Sequence, residues 1–334
     1  MKNYRKKAAV FYCIIKNKLK NMENETENKI TEDSPKVQPV KKDYILSVSI
    51  LISAVIFVGA WVYTTGLKSD APRKEMTAAN LNDLALTLEE KVLPSEGVVL
   101  PVRWGDLGIK LASAGVIDQQ KFDSMYASRG GISETNRRLL EKAGNGNIKI
   151  TSENSGFLLN LFWALGLGAK NDILENGPMN DPRYGGAGNF ASTGGWTLAQ
   201  GDAMSHYSQH HFFVLTPEQQ QLVEQVSKNI YRPCCGNSTH FPDCNHGMAM
   251  LGLLELMASQ GVREEAMYKA ALQVNAYWFP DTYLTIAQYL ASSGVEWEQA
   301  DPKELLGVDY SSGSGYQQIL KKFTAPGQKS GGSC

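Results

Sequence analysis

Histidine is absent from the first 205 residues of this 334-residue chain, and no cysteine lies between Cys13 and Cys234. The chain has no Cys-x-x-Cys pair, so a dithiol redox motif of that type is excluded. It has no net charge of consequence, −1 formally, and no basic stripe with interleaved aromatics, which argues against nucleic acid as a partner. No internal repeat is evident. Gly185-Gly186-Ala187-Gly188 is followed by no Lys-Ser/Thr and preceded by no clear strand, so a phosphate cradle is not indicated. No charged residue occurs from Tyr44 to Leu67.

That last absence is structural information. Tyr44 to Leu67 is a run of 24 uncharged, mostly apolar residues, and roughly 20 such residues span a bilayer core. Trp61 and Tyr63 lie near its far end, where aromatic rings favour the interface. Residues 1–43 hold 11 Lys/Arg against 6 Asp/Glu, a formal +5, and residues 44–334 hold 22 against 28, a formal −6. The basic flank predicts a cytoplasmic N-terminus and an exterior C-terminal domain, with lipid the partner of residues 44–67. The run starts too far in and is too long for an ordinary signal core. Met22 is an alternative start, leading a polar tail into the anchor.

The expected organisation is a cytoplasmic tail (1–43), a transmembrane helix (44–67), a linker (68–76), an extracytoplasmic domain (77–323) and a flexible tail (324–334). Apolar spacing and helix punctuation make the fold class mainly α, a compact helical bundle-like domain behind one N-terminal span. A first helix is expected around Leu81–Glu90, an extended piece at Gly97–Val102, and helices over Trp104–Ala114, Gln119–Ser128 and Ser133–Ala143. Gly144–Asn147 reads as a turn, and Phe157–Leu167 as a core helix too short to cross a membrane. Asn176–Gly201 is glycine-rich and reads as a long surface loop that covers a site. Asp202 starts a helix through Phe213, and Thr216-Pro217-Glu218 starts another to Ile230. Helices over Cys244–Gln260, Glu264–Trp278 and Thr282–Ser293 follow, the first and last punctuated by Gly261 and Gly294.

Against those absences, all five histidines and three of the five cysteines crowd into residues 206–246. The densest part runs Arg232-Pro233-Cys234-Cys235 to Asp243-Cys244-Asn245-His246. From His246 to Gln260 the only charge is Glu255, so this helix is surrounded by protein. Cys244 and His246 stand at its N-terminus, where free N–H groups favour a thiolate.

Three readings follow. One is a transition-metal site with Cys234, Cys235, Cys244 and His246 as ligands, His206 and His210 in reserve, and Cys235, Cys244 and His246 foremost. Zinc is the first choice; copper is second, because Met248 and Met250 offer thioethers one turn on. Another is a structural disulfide, Cys235–Cys244, in an interaction domain without metal. The third is a cysteine enzyme, a hydrolase or thiol exchanger, with Cys244 the nucleophile. Its base would be His206, His210 or His246, oriented by Asp243 or Asp202. Arg232 is expected to pair with Asp243, and Glu255 with Lys269 or Arg263.

Overall fold

The computed structural model describes residues 86–323, all of which belong to one compact unit, residues 76–334. The expected tail, span and linker, together with Cys13 and Cys334, lie outside the described residues. Among the described residues no helix is long and apolar enough to cross a membrane.

The domain is mainly helical. A helical stretch over 86–92 leads into strand β1, Val98–Gly105. Helices α1 (Leu107–Ser113), α2 (Gln119–Ala127) and α3 (Glu134–Glu141) follow. Strand β2, Asn145–Ile150, then pairs antiparallel with β1, Val98 opposite Ile150 and Gly105 opposite Asn145. The turn expected at Gly144–Asn147 is therefore the start of a strand. Trp104 lies within β1 instead of starting a helix, and its indole donates to Leu139 O at 2.7 Å.

Two helices form the centre. α4 (Ser155–Gly168) is apolar almost throughout, and α7 (Asn245–Ser259) buries every residue from Gly247 to Ala258. They cross where glycine faces glycine. A Cβ on Gly252 would lie 2.5 Å from Gly166 N and Phe162 O, so only hydrogen lets the backbones approach this closely. Around them stand α5 (Asp172–Asn176), α6 (Pro217–Lys228), α8 (Glu264–Trp278) and α9 (Pro280–Ser292). α6 opens with the reciprocal bonds of a capping box between Thr216 and Gln219. Three short helices close the domain: α10 (Pro302–Leu305), α11 (Val308–Ser311) and α12 (Gly313–Phe323).

Two further expectations need correction. The helix over Asp202–Phe213 does not form. Asp202 does cap, accepting from Met204 N at 2.9 Å, but only one 3-10 turn follows, Ala203–Ser205. Ser208 then takes φ 57°, the one left-handed non-glycine among the described residues, and sends the chain along the end of α4. His210 N donates to Gly168 O there at 2.9 Å. The glycine-rich stretch 176–201 is not a loose surface loop either. Its first 3-10 turn buries Met179, the chain beyond the turns buries Trp196 and Ala199, and the Trp196 indole donates to Val116 O at 2.8 Å.

Candidate metal centre

α7 carries no side-chain cap at its first turn; the residue before it, Cys244, is in extended conformation with its thiol free to face the preceding loop. That loop, 231–243, is closed by an antiparallel bridge between Tyr231 and Ser238 and is organised around one side chain. Arg232 is only 1% exposed. Its Nη1 donates to Asn237 O and its Nη2 to Phe241 O, both at 3.1 Å. Nη2 also reaches Asp243 Oδ1, as the sequence pairing of these two residues anticipates. Its Nε donates to Cys244 Sγ at 3.0 Å. Asn237 Nδ2 donates to the other Asp243 oxygen at 2.8 Å. Gly247 makes room for this arrangement, since a Cβ there would lie 2.5 Å from the guanidinium carbon.

The glycine-rich stretch packs onto the same loop. Ser192 N donates to Asp243 O at 3.1 Å, and the rings of Tyr184 and Phe190 meet Phe241 edge-on at 5.3 and 5.4 Å. From the other side, Gly313 N at the start of α12 donates to Cys235 O at 2.8 Å. The His246 ring lies against Phe279 at 4.5 Å and Trp278 at 5.6 Å.

Within this frame Cys234 Sγ lies 3.6 Å from Cys244 Sγ and 3.9 Å from His246 Nδ1. The ligand atoms of Cys234, Cys244 and His246 all lie within 4.8 Å of one another, a grouping that can hold a metal ion. A second grouping shares Cys244 and adds Cys235 and Asp243. There the cationic place is already taken: the Arg232 guanidinium bonds both Cys244 Sγ and Asp243. A further cation beside it would meet like-charge repulsion in a half-buried setting. The first grouping is therefore the better metal centre.

The thiols divide one charge. Hydrogen bonds from Cys234 and then Cys235, helped by His246 and Arg232, hold the Cys244 thiol well below its usual range against the effect of burial. Cys234 is raised by its bonds to Cys235 and Cys244 and by burial. For Cys235 the bond from Cys234 works downward, but Cys244 and burial outweigh it and the thiol is raised. Burial works against the charge on Arg232; Cys244, Cys235 and Asp243 more than offset it.

The remaining sequence candidates are placed elsewhere or otherwise. Cys235 belongs with Asp243 and Cys244 rather than with His246, its Sγ 3.9 Å from Asn237 O and 4.0 Å from Asp243 Oδ1. Adjacent residues cannot be told apart as ligands by spacing alone. His206 and His210 are not on one helix face, yet they meet across the Ser208 turn. His206 Nδ1 is 3.0 Å from His210 Nε2, and His206 Nε2 is 2.9 Å from Gln200 O. Burial and then the charge of His206 lower His210. This pair is outside both groupings. Asp243 is engaged by Arg232 and Asn237 rather than by a histidine, and Asp202 caps its turn. Met248 and Met250 are buried core residues outside both groupings.

Glu255 departs from expectation. It is fully buried, and neither carboxyl oxygen has a hydrogen-bond partner. Lys269 pairs with Glu265 instead, because the α8 face that carries both is exposed. Burial pushes the Glu255 carboxyl well above the usual range.

Fold and site together define a mainly helical domain with a Cys/Cys/His group able to hold a metal ion at the mouth of its central helix. Comparison of the chain with family models, curated proteins and solved structures gave no match.

Proposed function

We propose that this chain is a membrane-anchored, extracytoplasmic metal-binding protein whose centre is Cys234, Cys244 and His246, with zinc as the ion. The observation that carries the reading is the mutual approach of these three ligand atoms, within 4.8 Å, on a loop braced by Arg232. Tetrahedral zinc takes thiolate and imidazole at about 2.3 and 2.0–2.1 Å, which separates neighbouring ligand atoms by between three and four ångström. Cys234 Sγ to Cys244 Sγ at 3.6 Å and to His246 Nδ1 at 3.9 Å suit that shape with little movement. Copper is the weaker choice, since both methionines are committed to the core. Arg232 supports the ligand Cys244 from outside the coordination sphere, as partners of ligands commonly do.

The anchor and its orientation rest on the uncharged run 44–67 and the basic flank before it. Lipid is the partner they imply. Fractionation should place the chain with membranes, and protease added outside intact cells should cut the C-terminal domain. Recovery in the soluble fraction would refute the anchor and leave the metal centre standing.

The metal reading is tested by competitive zinc titration of the full chain in detergent against a chromophoric chelator. Cys244→Ser and His246→Ala are each expected to weaken binding at least tenfold, since losing even a group that only orients a ligand typically costs about tenfold or more. Equal affinity in wild type and Cys244→Ser would contradict it. A second reading has one observation in its favour. Cys234 and Cys244 are close enough to form a disulfide after a small movement, and an exterior compartment permits one. Thiol counting under denaturing, non-reducing conditions separates the two, because a disulfide leaves two fewer free thiols.

A further inference from the structure

We propose that a cavity between α2, α3, β2 and α4 binds a small organic monocarboxylate, its charge held by Arg129, Lys149 and the first turn of α4, its carbon skeleton laid on Tyr126 and Phe157. The inference goes beyond the metal reading and does not rest on it. The cavity measures about 550 Å³, inside the range of roughly 300–1,000 Å³ usual for small-molecule sites. None of its lining residues belongs to either metal grouping.

The first ground is charge. Arg129 and Lys149 both line the cavity, and neither forms an ion pair among the described residues, whereas Arg137 on α3 is paired with Asp123 and Glu141. Arg129 is held on a closed turn after α2, where Arg129 N and Gly131 N both donate to Tyr126 O, at 2.8 and 3.0 Å. Glu153 is the one acid in the lining, and its carboxylate is already engaged by the Thr151 hydroxyl and its own backbone N–H. Two cations less one carboxylate leave a single positive charge, which matches a monoanion better than a phosphate dianion.

The second ground is the supply of donors. α4 begins without a side-chain cap. Ser155 N is used by Thr151 O and Leu158 N by Asn154 O, but Gly156 N and Phe157 N between them have no acceptor among the described residues. Both residues line the cavity, so two N–H groups stand at its wall for the two oxygens of a carboxylate. The Tyr126 hydroxyl adds a third donor: it accepts from Asn160 Nδ2 at 2.9 Å, which leaves its own proton for a ligand. The third ground is the apolar wall. The Tyr126 and Phe157 rings meet at 5.6 Å, and with Ile132 they offer the cavity a surface that suits a carbon-bearing ligand rather than a bare ion.

The test is fluorine NMR of 4-fluorobenzoate added to the full chain in detergent, read against the same detergent without protein. The wild type should broaden the fluorine line. Arg129→Gln and Lys149→Gln should each weaken binding by about tenfold, as the loss of a charge-assisted hydrogen bond does. Both side chains are exposed, so the melting temperature of either variant should match the wild type. 4-Fluorobenzyl alcohol, the same ring without the charge, should bind at least tenfold more weakly, and excess EDTA should leave benzoate binding unchanged. Absence of broadening by the wild type would overturn the proposal, as would equal affinity in both variants or for the alcohol. Inorganic phosphate displacing the benzoate at equal concentration would overturn the choice of a monocarboxylate. Loss of binding in EDTA would place the carboxylate on a metal and overturn the cavity as its site.

Discussion

Arg232 is the side chain on which the cluster depends. A buried guanidinium is tolerable only when its donors are all used, and this one serves a thiol, two carbonyls and a carboxylate. Replacing it by alanine leaves Asp243 without its cation and two carbonyls without donors. The expected cost is about 3–5 kcal/mol of stability, read from the denaturant midpoint. A cost below about 1 kcal/mol would mean that water replaces the guanidinium without loss. Gly247→Ala acts on the same side chain from the other direction, by forcing a methyl to within 2.5 Å of the guanidinium carbon. It should destabilise by about 1–3 kcal/mol and weaken zinc binding with it. Much of this was legible in the sequence: the Arg232–Asp243 pairing, and Cys244 with His246 at a helix mouth. The grouping of Cys234, rather than Cys235, with His246 was not, because adjacent cysteines cannot be told apart by spacing alone.

At the scale of elements, α7 and the sequence around it explain both what was readable and what was not. An apolar run ending at Gly261 announces a buried helix, and the Glu264–Trp278 helix was found at its observed limits. The Asp202 start signal was real, but tertiary bonds from Ser208 and His210 to the end of α4 outcompeted helix propagation. The hairpin was missed because Asn145-Gly146-Asn147 has turn composition, and pairing with β1, some 45 residues away, decides its conformation. The α4–α7 crossing carries a clear expectation. Gly252→Ala places a methyl 2.5 Å from backbone atoms that cannot rotate aside, so it should cost about 1–3 kcal/mol or more. Thermal melting measures it, and an unchanged melting temperature would show that the helices separate freely.

Glu255 couples that central helix to pH for the molecule as a whole. Its raised folded-state value means that the folded chain holds a proton which the unfolded chain releases above about pH 4.3. The folded state then binds more protons, so this contribution to stability is full at low pH and is lost as pH rises toward the folded value. Wild-type stability should therefore fall as pH rises above the ordinary carboxylate range, and Glu255→Gln should flatten that fall. Equal slopes in the two proteins would place the pH dependence elsewhere. Zinc, on the proposed reading, would act on the whole molecule in the opposite sense, since an ion bound only by the folded state raises stability with concentration.

On the proposed reading, two sulfurs and one imidazole nitrogen of this chain meet at one ion. X-ray absorption at the zinc edge, on the zinc-loaded full chain, reads that coordination sphere directly. Two sulfur scatterers at about 2.3 Å and nitrogen at about 2.0–2.1 Å are expected, with one sulfur lost in Cys244→Ser. A sphere of oxygen and nitrogen alone, or one unchanged in Cys244→Ser, would contradict it.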